Sequence, residues 1–257
     1  MTGAARGIGA AVSTRLASEG WRLVLVDRCA DDPAVPYPLA TAGDLEAVVA
    51  SSGGPEQAVG HVGDVRDLAA LEHAVATAVD RFGGLDAAVA VAGVVGGGPP
   101  AWETPDELWT ALYEVNALGV HRLAQAAVPA LLTRPAPRSG RFVAVASAAA
   151  TVGLPRLSGY SAAKHAVVGY VRSLAADLGA EGVTANVVAP GSTRTEMLAA
   201  TGAVYELESL DEFARHHLDQ RLLDPGEVAA AVTWLCGEAS SGVTGAVLPV
   251  DAGMTAR

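Results

Sequence analysis

Short apolar runs rich in β-branched residues recur along the chain and alternate with longer stretches of helical period. The runs at 22–26, 85–91, 141–146, 183–188 and 246–250 read as strands. Between them, apolar residues spaced three and four apart mark helices near 8–19, 66–82, 105–132, 159–180 and 226–238. Strands this short and apolar are covered on both faces. The alternation therefore predicts an α/β fold, a doubly wound parallel sheet with helices on both faces. Nothing repeats and no low-complexity linker intervenes, so residues 1–257 read as a single domain. Thr104-Pro105-Asp106-Glu107 predicts a helix start with Thr104 as N-cap.

Composition narrows the classes. Apolar residues make up 51% of the chain and charged residues 18%, which suits a large core and disfavours disorder. Seventeen basic against 28 acidic residues leave a net charge of −11, so a phosphate backbone is repelled and nucleic acid is not an expected partner. No apolar run reaches the roughly 20 residues that span a bilayer, and a glycine-rich turn at residue 2 takes the place of a leader. A cytoplasmic location is expected. Cys29 and Cys236 cannot build a disulfide framework, which suits a reducing compartment. The histidines show no metal spacing, and the adjacent His216 and His217 read as solvated or core residues.

Candidate chemistry begins at Thr2-Gly3-Ala4-Ala5-Arg6-Gly7-Ile8-Gly9. Glycines let a backbone turn approach a pyrophosphate, and the helix that follows offers free N–H groups to the anion. Asp27 ends the next strand. A carboxylate there accepts ribose hydroxyls and repels a 2′-phosphate, which favours NAD over NADP, although Arg28 beside it could pair with that phosphate.

The second cluster is chemical. Against sixteen arginines the chain has one lysine, Lys164, and it stands four residues after Tyr160 on a predicted helix, hence on the same face. A phenol is a poor base at neutral pH, and a neighbouring ammonium is expected to lower its pKa. Tyr160 and Lys164 thus suit proton transfer to or from an alcohol. Ser147, at a strand end thirteen residues earlier, could hold the substrate oxygen.

With these motifs the chain resembles the short-chain dehydrogenase/reductase family over nearly its whole length, which implies a Rossmann-type fold. The resemblance implies that Asp64 and Val65 contact the adenine. Asn116 would bend its helix and hold a water linking Lys164 to solvent, and Ala92 and Gly93 would pass the cofactor. Pro190, Gly191, Thr193 and Thr195 would line the nicotinamide and phosphate side. It also implies a homotetramer through the helices of 105–132 and 159–180.

Three departures stand out. The turn after the strand at 85–91 reads Ala90-Val91-Ala92-Gly93, where the family has Asn-Asn-Ala-Gly. An insertion over 28–45, with Pro36-Tyr37-Pro38-Leu39-Ala40-Thr41, is similar to that of mycofactocin-associated members. There it is thought to fold over NAD, so that an external redox carrier must re-oxidise the cofactor. Finally, only Met1 precedes Thr2 where the family's central first strand belongs. The start at Met1 is therefore expected to be too late, or residues before it to have been removed; the rival is a sheet that closes around the gap or borrows a strand.

The substrate pocket is expected from Val94, Val95, Pro99 and Trp102, from Thr151, Leu154 and Leu157, and from a lid over 192–225. The lid carries Met197, Leu198, Val204, Tyr205, Leu207, Leu210 and Phe213. An apolar lining without a basic cluster points to a hydrophobic secondary alcohol or ketone. Two alternatives remain: a freely exchanging NAD(P)H-dependent carbonyl or 3-oxoacyl reductase, and a non-catalytic dinucleotide-binding protein.

Overall fold

In the computed structural model, which describes residues 1–256, the apolar runs become parallel strands between helices. The order is α1 (Gly7–Ser18), β1 (Leu23–Asp27), α2 (Ala42–Ser51), β2 (Ala58–Val62), α3 (Leu68–Phe82), β3 (Ala87–Ala90) and α4 (Asp106–Tyr113). A π-turn (Glu114–Leu118) follows, then α5 (Gly119–Leu132), β4 (Arg141–Val145), α6 (Ser158–Leu178), β5 (Thr184–Pro190), α7 (Glu196–Val204), α8 (Pro225–Cys236) and β6 (Val247–Val250).

All strand pairs are parallel, with β1 on β2 and the series β3-β4-β5-β6 beside them. Successive side chains of a strand point to opposite faces, and here both faces are buried. Val24 and Val26 of β1, Phe142 and Ala144 of β4, and Ala185 and Val187 of β5 join one core with residues of α3, α5 and α6. Leu23, Leu25, Val143, Val145 and Val188 join the other core with residues of α1, α2 and α8. This is the expected doubly wound, Rossmann-type sheet.

Residues 1–4 lie at the sheet centre, between β1 and β3. Thr2 bridges Val26 of β1 and Ala90 of β3 in parallel, and donates its N–H to Val89 O at 3.0 Å. Val26 N–H reaches Met1 O at 2.8 Å, and the Met1 amino group reaches Val24 O at 2.7 Å. A cavity of about 360 Å³ adjoins Met1, bounded by Val24, Leu71, Ala78, Phe82, Val89 and Leu123. β1 and β3 do not pair with each other.

Some local expectations change. Helix α4 starts after Pro105 rather than Thr104, whose hydroxyl instead meets Ser158 Oγ at 3.0 Å and ties this turn to the start of α6. The 28–45 insertion is an irregular strap only to residue 41. Thr41 and Asp44 form a capping box, and residues 42–45 belong to α2. Helix α2 and the edge strand β2 were not foreseen. Within 192–225 the chain forms α7 and a 3₁₀ turn, Leu210–His216.

Candidate active site

A cavity of about 570 Å³ opens at the carboxyl ends of the strands. Its lining takes in Gly3, Arg6, Gly7, Ile8, Gly9, Asp27, Arg28, Asp64, Val65, Ala92, Gly93, Ser147, Tyr160, Lys164, Pro190, Gly191, Thr193 and Thr195. Of the catalytic and cofactor-binding residues expected from the sequence, Asn116 alone is absent from this lining.

The glycine turn is shaped by close approach. Gly3 has φ +67°, and a Cβ there would lie 2.5 Å from the Ala92 backbone; a Cβ on Gly9 would lie 1.8 Å from Gly3 O. Helix α1 begins with no side-chain cap and no acidic residue in its first turn. Its first N–H groups therefore face the cavity with a positive dipole end, an arrangement that fits a pyrophosphate.

At the adenosine end, Asp27 Oδ2 accepts the Ala5 N–H at 3.0 Å, which fixes the carboxylate against the turn. Arg28 is held by Asp32 and by Asp64 Oδ2 at 3.3 Å, and Arg66 bridges the same two carboxylates at 2.9 and 2.6 Å. Burial alone would raise the carboxyls of Asp32 and Asp64, but N–H donors and both guanidiniums outweigh it and hold them below the usual range. With Arg28 engaged in this way, the adenosine end presents carboxylates. That fits the diol of NAD better than a 2′-phosphate.

At the chemical end, Tyr160 and Lys164 lie on the buried face of α6, with Lys164 Nζ 5.6 Å from the centre of the Tyr160 ring. Lys164 donates to Val145 O at 3.1 Å, and burial pushes its ammonium down to about 8. Ser147 Oγ accepts the Ala149 N–H at 3.1 Å, and its hydroxyl favours the ionised Tyr160 phenol. The sequence reading expected the ammonium to lower the phenol. Here burial dominates and the phenol is pushed up to about 12, against the opposing influence of the Ser147 hydroxyl.

Asn116 is fully buried in the π-turn. Its carboxamide accepts the Val94 N–H at 3.2 Å and donates to Val94 O at 2.9 Å and Leu112 O at 2.8 Å. It braces the loop after β3. The Asn-Asn pair missing from that loop has a partial substitute in Thr2 Oγ1, which accepts the Ala92 N–H at 3.4 Å.

Of the expected substrate wall, Val94, Val95, Leu154, Leu157, Met197, Leu198, Tyr205, Leu207 and Phe213 line the cavity. Pro99, Thr151, Val204 and Leu210 do not, and Trp102 stands in solvent at 84% exposed. Asp32, Leu39 and Ala40 of the insertion also line the cavity, and the sequence reading missed Met254 there. It also gave His217 no specific role. This side chain is fully buried, accepts the Ser192 N–H at 3.0 Å on Nε2, and donates from Nδ1 to Arg221 O at 2.6 Å. It pins the base of the lid to the loop after β5, a long-range contact with no local signature.

Comparison with known proteins agrees with this geometry. A family model described as enoyl-(acyl carrier protein) reductase matches residues 3–255. The chain belongs to the short-chain dehydrogenase/reductase family. It is similar to an uncharacterized oxidoreductase of Mycobacterium tuberculosis, 39% identical over 98% of this chain and 94% of the relative. It is also 36% identical to a (-)-trans-carveol dehydrogenase of Rhodococcus erythropolis, over 100% of this chain and 96% of that one. The crystal structure of carveol dehydrogenase from Mycobacterium avium in complex with NAD superposes with a TM-score of 0.92 at 31% identity, covering 100% of this chain and 96% of the other. This short-chain dehydrogenase is an NAD-dependent oxidoreductase acting on CH–OH groups. Among the described residues no helix is long and apolar enough to cross a membrane, and no acidic, His or Cys cluster could hold a metal ion.

Proposed function

We propose that the enzyme interconverts a small hydrophobic secondary alcohol and its ketone while keeping its NAD bound between turnovers. The observation that carries this reading is the cavity itself. Ser147, Tyr160 and Lys164 meet an apolar wall at one end, and the strap residues Asp32, Leu39 and Ala40 border the other. The carveol dehydrogenases among its relatives support a monocyclic alcohol as the substrate class.

Bound NAD supplies the hydride acceptor in the oxidising direction. The uncapped start of α1 would hold the pyrophosphate, Asp27 the adenosine ribose, Asp64 and Val65 the adenine, and the 190–195 loop the nicotinamide side. Ser147 orients the substrate oxygen by hydrogen bond. Tyr160 takes the alcohol proton on its phenol oxygen during oxidation and returns it during reduction. Lys164 stabilises the phenolate and would bond the ribose hydroxyls. Asn116 keeps the loop of Val94 in register with Lys164. The strap slows cofactor exchange, so an external redox carrier of the mycofactocin type completes the cycle.

Helices α4 and α8 expose Trp109, Tyr113 and Trp234 in the single chain, which supports self-association to a tetramer; light scattering of the purified protein reads its mass. The test of the main reading is direct. Protein passed through gel filtration is assayed for bound NAD, then given carveol and related alcohols with or without an artificial electron acceptor. Retained NAD and acceptor-dependent oxidation support it. Rapid turnover on added NAD(P)H alone, from protein carrying no nucleotide, overturns the sealing and favours a freely exchanging reductase.

A further inference from the structure

Residues 28–41 leave the sheet at the end of β1 and re-enter it through α2, on the same side of the central Thr2 position. Midway they reach across. The phenol oxygen of Tyr37 accepts the backbone N–H of Val95 at 3.1 Å, in the loop that follows β3. Val95 packs with Leu157 and Tyr160, and the Tyr37 ring packs against the same group. On the other side, the Arg6 guanidinium of the glycine turn lies 5.9 Å from the centre of that ring. A single side chain thus touches the phosphate turn, the loop after β3 and the catalytic cluster.

The remainder of the strap is held from its own side. Arg28 and Asp32 join Asp64 and Arg66, and Leu39 N–H closes onto Asp31 Oδ1 at 2.8 Å. Among the described residues, the Tyr37–Val95 bond is the one hydrogen bond that fastens residues 28–41 to the far bank of the cleft. Leu39 and Ala40, just after it, line the cavity. A roof hinged along one edge by an ionic cluster and caught along the other by a single neutral hydrogen bond opens at the weaker edge.

We propose that Tyr37 is a positioning residue that clasps the strap across the cofactor cleft, so that the dinucleotide leaves only when the Tyr37–Val95 bond opens. This deepens the retained-cofactor reading and rests on it. Tyr37→Phe removes the bond and keeps the ring. Tyr37→Ala removes both. Full-length protein is loaded with NADH, mixed with excess NAD, and followed by nucleotide fluorescence. Release from Tyr37→Phe is expected to be about three- to tenfold faster than from the wild type, the loss of one neutral hydrogen bond, and from Tyr37→Ala faster again. Hydrogen exchange at the Val95 amide reads the clasp without reference to cofactor or activity, and it is expected to quicken in Tyr37→Phe at unchanged melting temperature. Both variants releasing NADH at the wild-type rate would overturn the clasp. The wild-type rate tests the sealing separately: fast wild-type release with a still faster Tyr37→Phe sinks the sealing alone, and slow release unchanged by either variant sinks the clasp alone.

Discussion

Tyr160 and Lys164 share one buried face of α6, and burial drives their pKa values apart, the phenol up to about 12 and the ammonium down to about 8. A phenol in that range is protonated at neutral pH, ready to donate to a ketone and slow to accept from an alcohol. Oxidation is therefore expected to quicken as pH rises into the alkaline range, while reduction holds level until the phenol ionises; single-turnover rates in both directions between pH 6 and 10 check this. Tyr160→Phe is expected to lower turnover by about 10²–10⁴-fold with the fold intact. Retention of most of the activity would remove Tyr160 from proton transfer. Lys164 also weighs on stability. A fall from 10.5 to about 8 on folding means that the buried charge opposes folding below pH 8. At 1.36 kcal/mol per unit the cost is on the order of 3 kcal/mol, partly offset by the bond to Val145. Lys164→Met is thus expected to raise the unfolding free energy at pH 7 by about 1–3 kcal/mol while abolishing activity. That gain should shrink as pH rises from 8 towards 10.5, where the wild type sheds the charge; denaturant melts across this range measure it.

At the scale of elements, legibility followed locality. β1, β3, β4, β5 and β6 were readable because each is a run of apolar residues whose burial needs no special partner. β2 was not. Gly60 and His61 interrupt it, and as an edge strand it leaves Val62 61% exposed, so the apolar signal is half missing. Helix α2 was masked by the proline-rich lead-in, although Thr41 and Asp44 carried its capping box. The π-turn that seats Asn116 has no signature at all, since it differs from a helix only in which carbonyl each N–H chooses. Within the site, the glycine turn, Asp27, Ser147, Tyr160 and Lys164 were legible as motifs. His217, Met254 and the Tyr37–Val95 link depend on pairings distant in sequence and were not. The elements also differ in backbone security. β4 and β5 are paired along both edges, whereas β2 is paired along one. Amide exchange is expected to be slowest in Phe142–Val145 and Ala185–Val188, and faster by orders of magnitude at Gly60 and Val62. Equal protection across these three strands would contradict this ranking.

On the scale of the whole molecule, the sheet is a two-stranded and a four-stranded block joined at their centre by Met1 and Thr2, and the cofactor cleft lies over that join. Both cores cross it. Val24 and Val26 belong to the same cluster as Phe142 and Ala144, and α1 packs on α8 from the opposite block. Helix packing thus ties the two blocks together across the join. Phe142, fully buried at the centre of the larger block, is the residue whose loss is expected to hurt most: Phe142→Ala should cost about 3–5 kcal/mol in equilibrium unfolding. The free edge of β2 has a consequence of its own. β2 ends the strand order with Val62 61% exposed on it, and an uncovered strand edge is a template for a strand of another molecule. Val62→Lys should therefore leave the fold intact and slow the growth of light scattering in concentrated protein.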